Sequence, residues 1–414
     1  MPVLAAPSVD TSRLSPSARA ARTKRARNQF KLISDIAVPV YEQEFWTSKQ
    51  RQASALHEVS YRGCFKPQLP AYFIERLTRE GDTVYDPFSG RGTTAVEAAL
   101  HARNIIANDV NPLSAILTRP RLEVPNVAEV DVRLRALQLS AKANGELDLS
   151  MFFHPNTERE ILNLRRYLWQ RRRDGTEDSL DRWIRMVATN RLTGHSPGFF
   201  SVYTLPPNQA ALPESQIKIN EKLGQTPQYR DIRALILRKS MQLQSTLNAS
   251  DRWRLHQAAT TARFLEGDAA ATPAIADNSV QLTVTSPPFL NVVQYARDNW
   301  LRCWFNGLDA EAIGEHITMS ATLEAWTAAM SQVLQELHRV TRPGGWVAFE
   351  VGEVRRGEIK LDEAVAPLGM AAGFECRAIL INAQQFTKTA NIWGVSNNQL
   401  GTNSNRIVIL QKDS

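Results

Sequence analysis

The segment Thr83-Val84-Tyr85-Asp86-Pro87-Phe88-Ser89-Gly90-Arg91-Gly92-Thr93-Thr94 constrains this 414-residue chain more than any other. A short β-favouring run ends at an acid, two glycines follow within a tight turn, and alanine-rich residues continue to His101. The pattern predicts a buried strand, a turn and a helix, and Asn104–Asn108 predicts a second strand ending at Asp109. Two strands joined through a helix must run parallel, with a right-handed crossover, so the chain is committed to an α/β sheet with helices on its faces.

The turn is built for close approach. Glycine is needed where a Cβ would block a ligand or where φ must be positive, and the first N–H groups of the helix behind it have no partner within the helix. Asp109 stands 19 residues beyond Gly90, where doubly wound folds place an acid against ribose hydroxyls. Phe264 to Asp268 reads as the end of a third strand, and Asp268 can accept a bond from an adenine amine. The turn departs from the Gly-x-Gly-x-x-Gly of dinucleotide sites, so a nucleoside rather than a pyrophosphate is expected.

A second motif follows a second apolar strand: Val280–Thr285 runs into Ser286-Pro287-Pro288-Phe289. An exocyclic amine on a nucleobase is a poor nucleophile because its lone pair is delocalised into the ring. Acceptors that draw its protons out of plane restore that lone pair. Ser286 Oγ and the Pro287 carbonyl suit this task, two prolines keep the dipoles fixed, and Phe289 offers a flat face for stacking. A base reached in this way must leave its duplex.

On these residues the chain resembles the amino-methyltransferases of DNA. DPFSGRGTT resembles their cofactor motif, Asn108-Asp109-Val110-Asn111-Pro112 the acidic motif after it, and Ser286–Phe289 their (Ser/Asn/Asp)-Pro-Pro-(Tyr/Phe) motif. Tyr61 to Pro70 resembles, more loosely, the segment that packs on the methionine end of the cofactor. The resemblance covers about residues 56–120 and 260–414. It implies a class I, Rossmann-like methyltransferase sheet of the seven-stranded type and S-adenosylmethionine as cofactor. Expected cofactor residues are Phe65, Lys66, Asp86, Pro87, Phe88, Gly90, Gly92, Thr93, Thr94, Asp109, Val110, Asp268 and Ala269; expected catalytic residues are Ser286, Pro287, Pro288 and Phe289. It further implies direct methyl transfer to a flipped base of double-stranded DNA. A serine at the first motif position goes mostly with cytosine N4, an Asn or Asp mostly with adenine N6. A restriction–modification setting with a companion endonuclease, or an orphan methyltransferase, follows from the same resemblance.

Between the two motifs lies a segment of different character. Residues 121–258 are expected to form a mostly helical insert, with helices from His154-Pro155 and from Asp231 to about Leu247, and a long loop over 193–227 rich in Gly and Pro. The chain therefore divides into a basic, flexible arm and lead-in (1–54), the cofactor half of the sheet domain (55–120), the insert (121–258) and the catalytic half (259–414). Charge is uneven. The net +7 is concentrated in residues 1–31, with seven Lys/Arg against one acid, and residues 151–240, with fifteen against nine. That distribution suits a polyanionic partner. The insert is the expected target-recognition region, with Arg165, Arg166, Arg171, Arg172 and Arg173 as DNA-binding candidates beside Arg182, Arg185 and Arg191. One departure from the family's order is that Gly267-Asp268 comes after the insert.

Other chemistries are disfavoured. Cys64, Cys303 and Cys376 are preceded by Gly63, Arg302 and Glu375, so the Pro-Cys nucleophile of carbon-5 methylation is missing. Scattered, odd-numbered cysteines give neither a disulfide framework nor a metal site. Without a long apolar run or signal-like start, a cytoplasmic protein with no membrane span is expected. Three rival readings share parts of the pattern: an adenine-N6 DNA enzyme, an RNA base or guanine-N2 methyltransferase, and a DNA-binding protein without activity.

Overall fold

The structure is a computed structural model that describes residues 27–46, 53–143, 145–205, 209–288, 295–317, 320, 322–354, 359–383 and 404–414. The chain opens with a hairpin, β1 (Arg27–Ile33) and β2 (Ile36–Gln43), then α1 (Gln68–Leu77), β3 (Thr83–Asp86), α2 (Thr93–Leu100) and β4 (Asn104–Asn108). Helices α3 (Leu113–Thr118), α4 (Val127–Ala136), α5 (Pro155–Arg173), α6 (Ser179–Arg191), α7 (Pro213–Leu223), α8 (Ile232–Gln244) and α9 (Ala249–Thr261) follow without a strand among the described residues. The sheet resumes with β5 (Arg263–Leu265) and β6 (Val280–Thr285). Next come α10 (Tyr295–Asp298), α11 (Trp300–Asn306), α12 (Ala310–His316), α13 (Leu323–Val340), β7 (Thr341–Val351), a small hairpin of β8 (Glu353–Val354) and β9 (Ile359–Lys360), α14 (Leu361–Ala371), β10 (Phe374–Ala383) and β11 (Ser404–Lys412).

Nine strands form one sheet in the order β1-β2-β10-β11-β7-β6-β3-β4-β5. β5, β4, β3, β6 and β7 are parallel, and β11 enters antiparallel between β7 and β10. From β3 the chain builds outward through β4 and β5; from β6 it builds the other way. The order therefore reverses between β3 and β6, and an open α/β sheet binds ligands at the carboxyl ends of the strands flanking such a reversal. Asp86 ends β3 and Thr285 ends β6, so both sequence motifs leave the sheet at that point.

This is the class I α/β fold expected, with two differences. Residues 27–43, expected to be part of a flexible arm, form a hairpin whose β2 pairs in parallel with β10. Edge coverage explains it: β10 would otherwise expose a row of unpaired backbone groups. β10 itself was not foreseen, and the sheet has nine strands rather than seven. In the insert, α7 forms within the stretch expected to be a loop. Pro213 starts it at the first turn and Gly224, at φ 57°, ends it. The starts of α5 and α8 match the expectation, with the His154 ring accepting from Asn156 N–H and the Asp231 carboxylate from Ala234 N–H.

One core covers each face. α13 and α14 pack Trp326, Leu334, Leu337 and Val365 on one side. On the other, α1 and α2 share a single apolar cluster with the insert helices, from Phe73 and Val96 through Leu164, Trp183 and Ile236. The insert is thus seated on the sheet domain through continuous packing. No helix among the described residues is long and apolar enough to cross a membrane.

Candidate functional site

The two motifs are tied together beneath the surface. Thr285 Oγ1 donates to the Asp86 carboxylate at 2.6 Å, across 199 residues of sequence. Phe88 N–H donates to the same oxygen at 3.2 Å, and Thr94 also bonds the carboxyl. Thr94 Oγ1 donates to the Val284 carbonyl at 3.0 Å. Burial pushes Asp86 up to about 7, against the pull of these hydrogen bonds, with Asp109 adding to the rise. Asp86 and Thr94, expected to touch a cofactor, instead join the glycine turn to the strand that carries Ser286.

Gly92, also expected at the cofactor, has a structural reason. Its φ is 72° and a Cβ there would run into Thr118 of α3. Arg91, between the glycines, turns inward: its guanidinium donates to the carbonyls of His57, Val59 and Phe65. It thereby holds residues 57–65 over the turn as a wall.

Above that frame lies a cleft that opens to solvent. Its floor and sides are Pro87 to Gly90 with Thr93, Asp109 to Asn111, Gly267 to Ala269, and Ser286 with Pro288; residues 61–65 and Ile317 close it. The cleft therefore unites Phe65, Pro87, Phe88, Gly90, Thr93, Asp109, Val110, Asp268, Ala269, Ser286 and Pro288 of the expected site. Lys66 faces a different cavity, on the far side of the wall. Pro287 is buried, and Phe289 lies outside the described residues, as do Asn291, Gln294 and 384–403.

At the nucleoside end, Asp109 accepts from Gly90 N–H at 2.7 Å and from Asn111 N–H at 2.9 Å. Burial pushes its carboxyl up to about 6, with those two bonds opposing the rise. Two further polar atoms of the cleft lining, Ser89 Oγ and Asn111 Nδ2, are buried without a partner. Buried polar groups usually have a partner in protein, ordered water or ligand, so both atoms are available to a group bound in the cleft. Asp109, these two atoms and the apolar Phe88, Val110 and Ala269 fit a group that is part sugar and part flat ring.

At the other end, Ser286 is bonded to Glu350, a fully buried carboxyl at the end of β7. Asn405 Nδ2 of β11 donates to Glu350 Oε1 at 2.8 Å. Burial raises Glu350 above the usual glutamate range, and the bonds from Ser286 and Asn405 oppose it. Trp326 Nε1 of α13 donates to the Pro288 carbonyl at 2.9 Å, fixing the proline turn. Sequence reasoning missed Glu350. Register reveals it: Thr285 pairs with Phe349, so the next residues, Ser286 and Glu350, stand side by side.

The insert arginines divide. Arg171 is bonded to Asp181, which is wholly buried and also accepts from Arg133. Arg182 is committed to Glu123 and Arg185 to Glu177 and the Leu168 carbonyl. These three are structural, because a buried carboxylate left unpaired is costly. Arg165, Arg166, Arg172 and Arg173 line an open groove with Trp169 and the end of α11. Arg165 lies between rings, 3.9 Å over Trp169 and 4.7 Å over Trp304. Trp300 is packed: its Nε1 donates to the Ala211 carbonyl.

Residues 8–114 match the profile of a family described as DNA methylase. That part of the chain is thus similar to DNA methylases. Type II methyltransferase M.MjaII of Methanocaldococcus jannaschii is 32% identical over 94 residues, covering 23% of this chain and 17% of that protein. Type II methyltransferase M.BsoBI of Geobacillus stearothermophilus is 23% identical over 287 residues, covering 64% of this chain and 56% of that protein. The matches span 17% and 56% of the lengths of these two relatives. Among solved structures, a SAM-dependent methyltransferase of Methanosarcina mazei is 11% identical over 82% of this chain and 97% of its own, with a TM-score of 0.32.

Proposed function

We propose that this protein methylates the exocyclic N4 amine of a cytosine flipped out of double-stranded DNA, using S-adenosylmethionine. The observation that carries the reading is a single cleft bounded by Asp109 and two unpartnered polar atoms at one end and by the Ser286–Pro288 turn at the other. The cofactor would lie along that cleft, its ribose on Asp109, its adenine among Phe88, Val110, Asp268 and Ala269, its methionine end under residues 61–65. When bound, it supplies a methyl group on a sulfonium sulfur.

Ser286 and Glu350 then divide the work on the amine. Glu350, ionised, accepts the Ser286 O–H and leaves the oxygen lone pairs free to accept an amine proton. The Pro287 carbonyl accepts the second, and the amine nitrogen becomes tetrahedral. S-adenosylmethionine would supply the methyl group there, and the amine nitrogen that accepts it would gain positive charge. Its surplus proton passes to Ser286 Oγ while the serine's own proton moves to Glu350. Burial suits Glu350 to take that proton. The serine at position 286 is what favours cytosine over adenine. The arginine groove beside α5, with Trp169, would carry backbone phosphates of the DNA.

The test is nucleoside mass spectrometry of duplex DNA incubated with the protein and labelled S-adenosylmethionine. Label in N4-methylcytosine is the expected result. Label in N6-methyladenine would overturn the base assignment while keeping the chemistry. Label only in RNA, or none, would overturn the DNA reading.

A further inference from the structure

Behind the wall of the cleft is a second cavity that the proposed reaction does not use. Residues 57–64 form one side; Lys66, Arg91, Arg191 of α6 and Lys239 of α8 converge on it. Its volume is about 440 Å³ and its lining is mostly polar. Arg91, Arg191 and Lys239 are only 7%, 8% and 5% exposed, so these are charges taken out of water. The one carboxylate in the lining is Glu58, whose side chain is 42% exposed and lies 3.6 Å from Lys239 Nζ.

The other hydrogen-bond partners of Arg91, Arg191 and Lys239 are neutral. Arg191 bonds the carbonyl and side chain of Asn190 and lies 3.9 Å over the Phe199 ring. Arg91 bonds Thr93 and three carbonyls, and Lys239 bonds Gln242 at 3.2 Å. Burial, with repulsion from Arg302 beside it, lowers Arg191 to about 10, against the pull of Glu58. Burial likewise lowers Lys239 to about 8, with repulsion from Arg191 adding to the fall. Packing that only filled space would not gather these charges. A buried cation without an opposing charge is destabilising, and an anion in the cavity would relieve several at once.

We propose that this cavity is a binding site for a phosphate group, separate from the cofactor cleft. A tetrahedral oxyanion presents oxygens in several directions and so can meet guanidinium and ammonium donors from different elements together. The phosphate belongs either to a free small molecule or to the backbone of bound DNA. Residues 61–64 line both this cavity and the cleft, so occupancy braces the wall that covers the methionine end of the cofactor.

The experiment is calorimetric titration of the full chain with inorganic pyrophosphate at constant ionic strength, held with chloride. Saturable binding at one site is expected, retained in Lys239→Arg and weakened about tenfold or more in Lys239→Met. Lys239→Met should melt no lower than wild type in chloride alone, since it removes a poorly solvated charge; Lys239→Gln, which can still meet Gln242, is the alternative if Met disturbs packing. Competition by a short duplex of arbitrary sequence assigns the site to backbone phosphate, and its failure assigns it to a free phosphate compound. Equal binding by wild type and both neutral variants would overturn the site, as would no binding beyond a chloride effect. Displacement of pyrophosphate by S-adenosylmethionine would place the anion in the cleft and overturn a separate site. None of these measurements requires methylation, so the phosphate site and the proposed reaction fail independently.

Discussion

The two ends of the cleft are built differently. The nucleoside end is a local device: Gly90, Asp109 and Asn111 lie close in sequence, and the bonds that shape it run between the glycine turn and the loop after β4. The Ser286 end is assembled from distant strands and a helix, with Ser286 just after β6, Glu350 from β7, Asn405 from β11 and Trp326 from α13. Ligand affinity can be lodged in a short motif. The polarity of a reacting group needs a scaffold that fixes several parts of the chain relative to one another.

The largest effect separating the two ends is expected from Glu350→Gln. It keeps the shape and a bond to Ser286 but removes the negative charge and the proton acceptor. Single-turnover methylation should slow by about 10²–10⁴-fold, with cofactor affinity within about twofold by calorimetry. If affinity fell and the methyl-transfer rate at saturation did not, Glu350 would belong to the cofactor end and the division would be wrong.

Asp109→Ala should do the reverse. Loss of a charged acceptor is expected to weaken S-adenosylmethionine binding by about 10–100-fold. At saturating cofactor the rate should recover to within a few-fold of wild type. Unchanged affinity would remove Asp109 from ribose binding.

Asp86→Asn probes the joint between the ends. The amide keeps an acceptor for Thr285 and Phe88 and can donate to Thr94. The wild-type carboxyl is raised from 3.8 unfolded to about 7 folded. A raised acid is bound to its proton more tightly in the folded state, so its contribution is full below about pH 4 and is lost as pH rises to about 7. The variant should therefore gain stability over wild type across that window and hold the gain above it, on the order of 2–4 kcal/mol. Thermal melts at pH 4, 6 and 8 check this. A difference independent of pH would mean that Asp86 does not titrate in the window.

The nucleoside end was legible in sequence because its residues are local and its turn chemistry is restrictive. Gly90 at φ 52° and Gly92 at φ 72° need glycine, and Asp109 follows at a spacing set by one helix and one strand. Ser286 was legible as part of a rigid turn. Glu350 was not, because a single acid in an apolar strand acquires meaning only from the register of β7 against β6. Asp86 and Thr94 are placed differently. Position within a binding motif suggested contact with ligand, whereas burial commits both to a neighbouring strand. The hairpin of β1 and β2 was hidden because it directly follows the basic stretch that reads as an arm, although Val38 and Val40 are buried against the sheet. The arginines of α5 and α6 look alike in sequence. Whether an acid such as Asp181 sits opposite decides which is surface and which is frame.

The insert leaves from β4 and returns into β5, and these two strands are neighbours. Asn108 Nδ2 donates to the Gly267 carbonyl at 2.9 Å across 159 residues, and Asp109 N–H to the Leu265 carbonyl at 3.3 Å. The long excursion is therefore closed at its base like a drawstring. Closing a loop costs little more when the loop lengthens, about 0.6 kcal/mol for each doubling. Evolution can thus trade one insert for another of different size with small consequence for the sheet, provided the new one seats its own apolar face. Because the drawstring is tied between Asp109 and Asp268, every such exchange is made at the edge of the cofactor cleft.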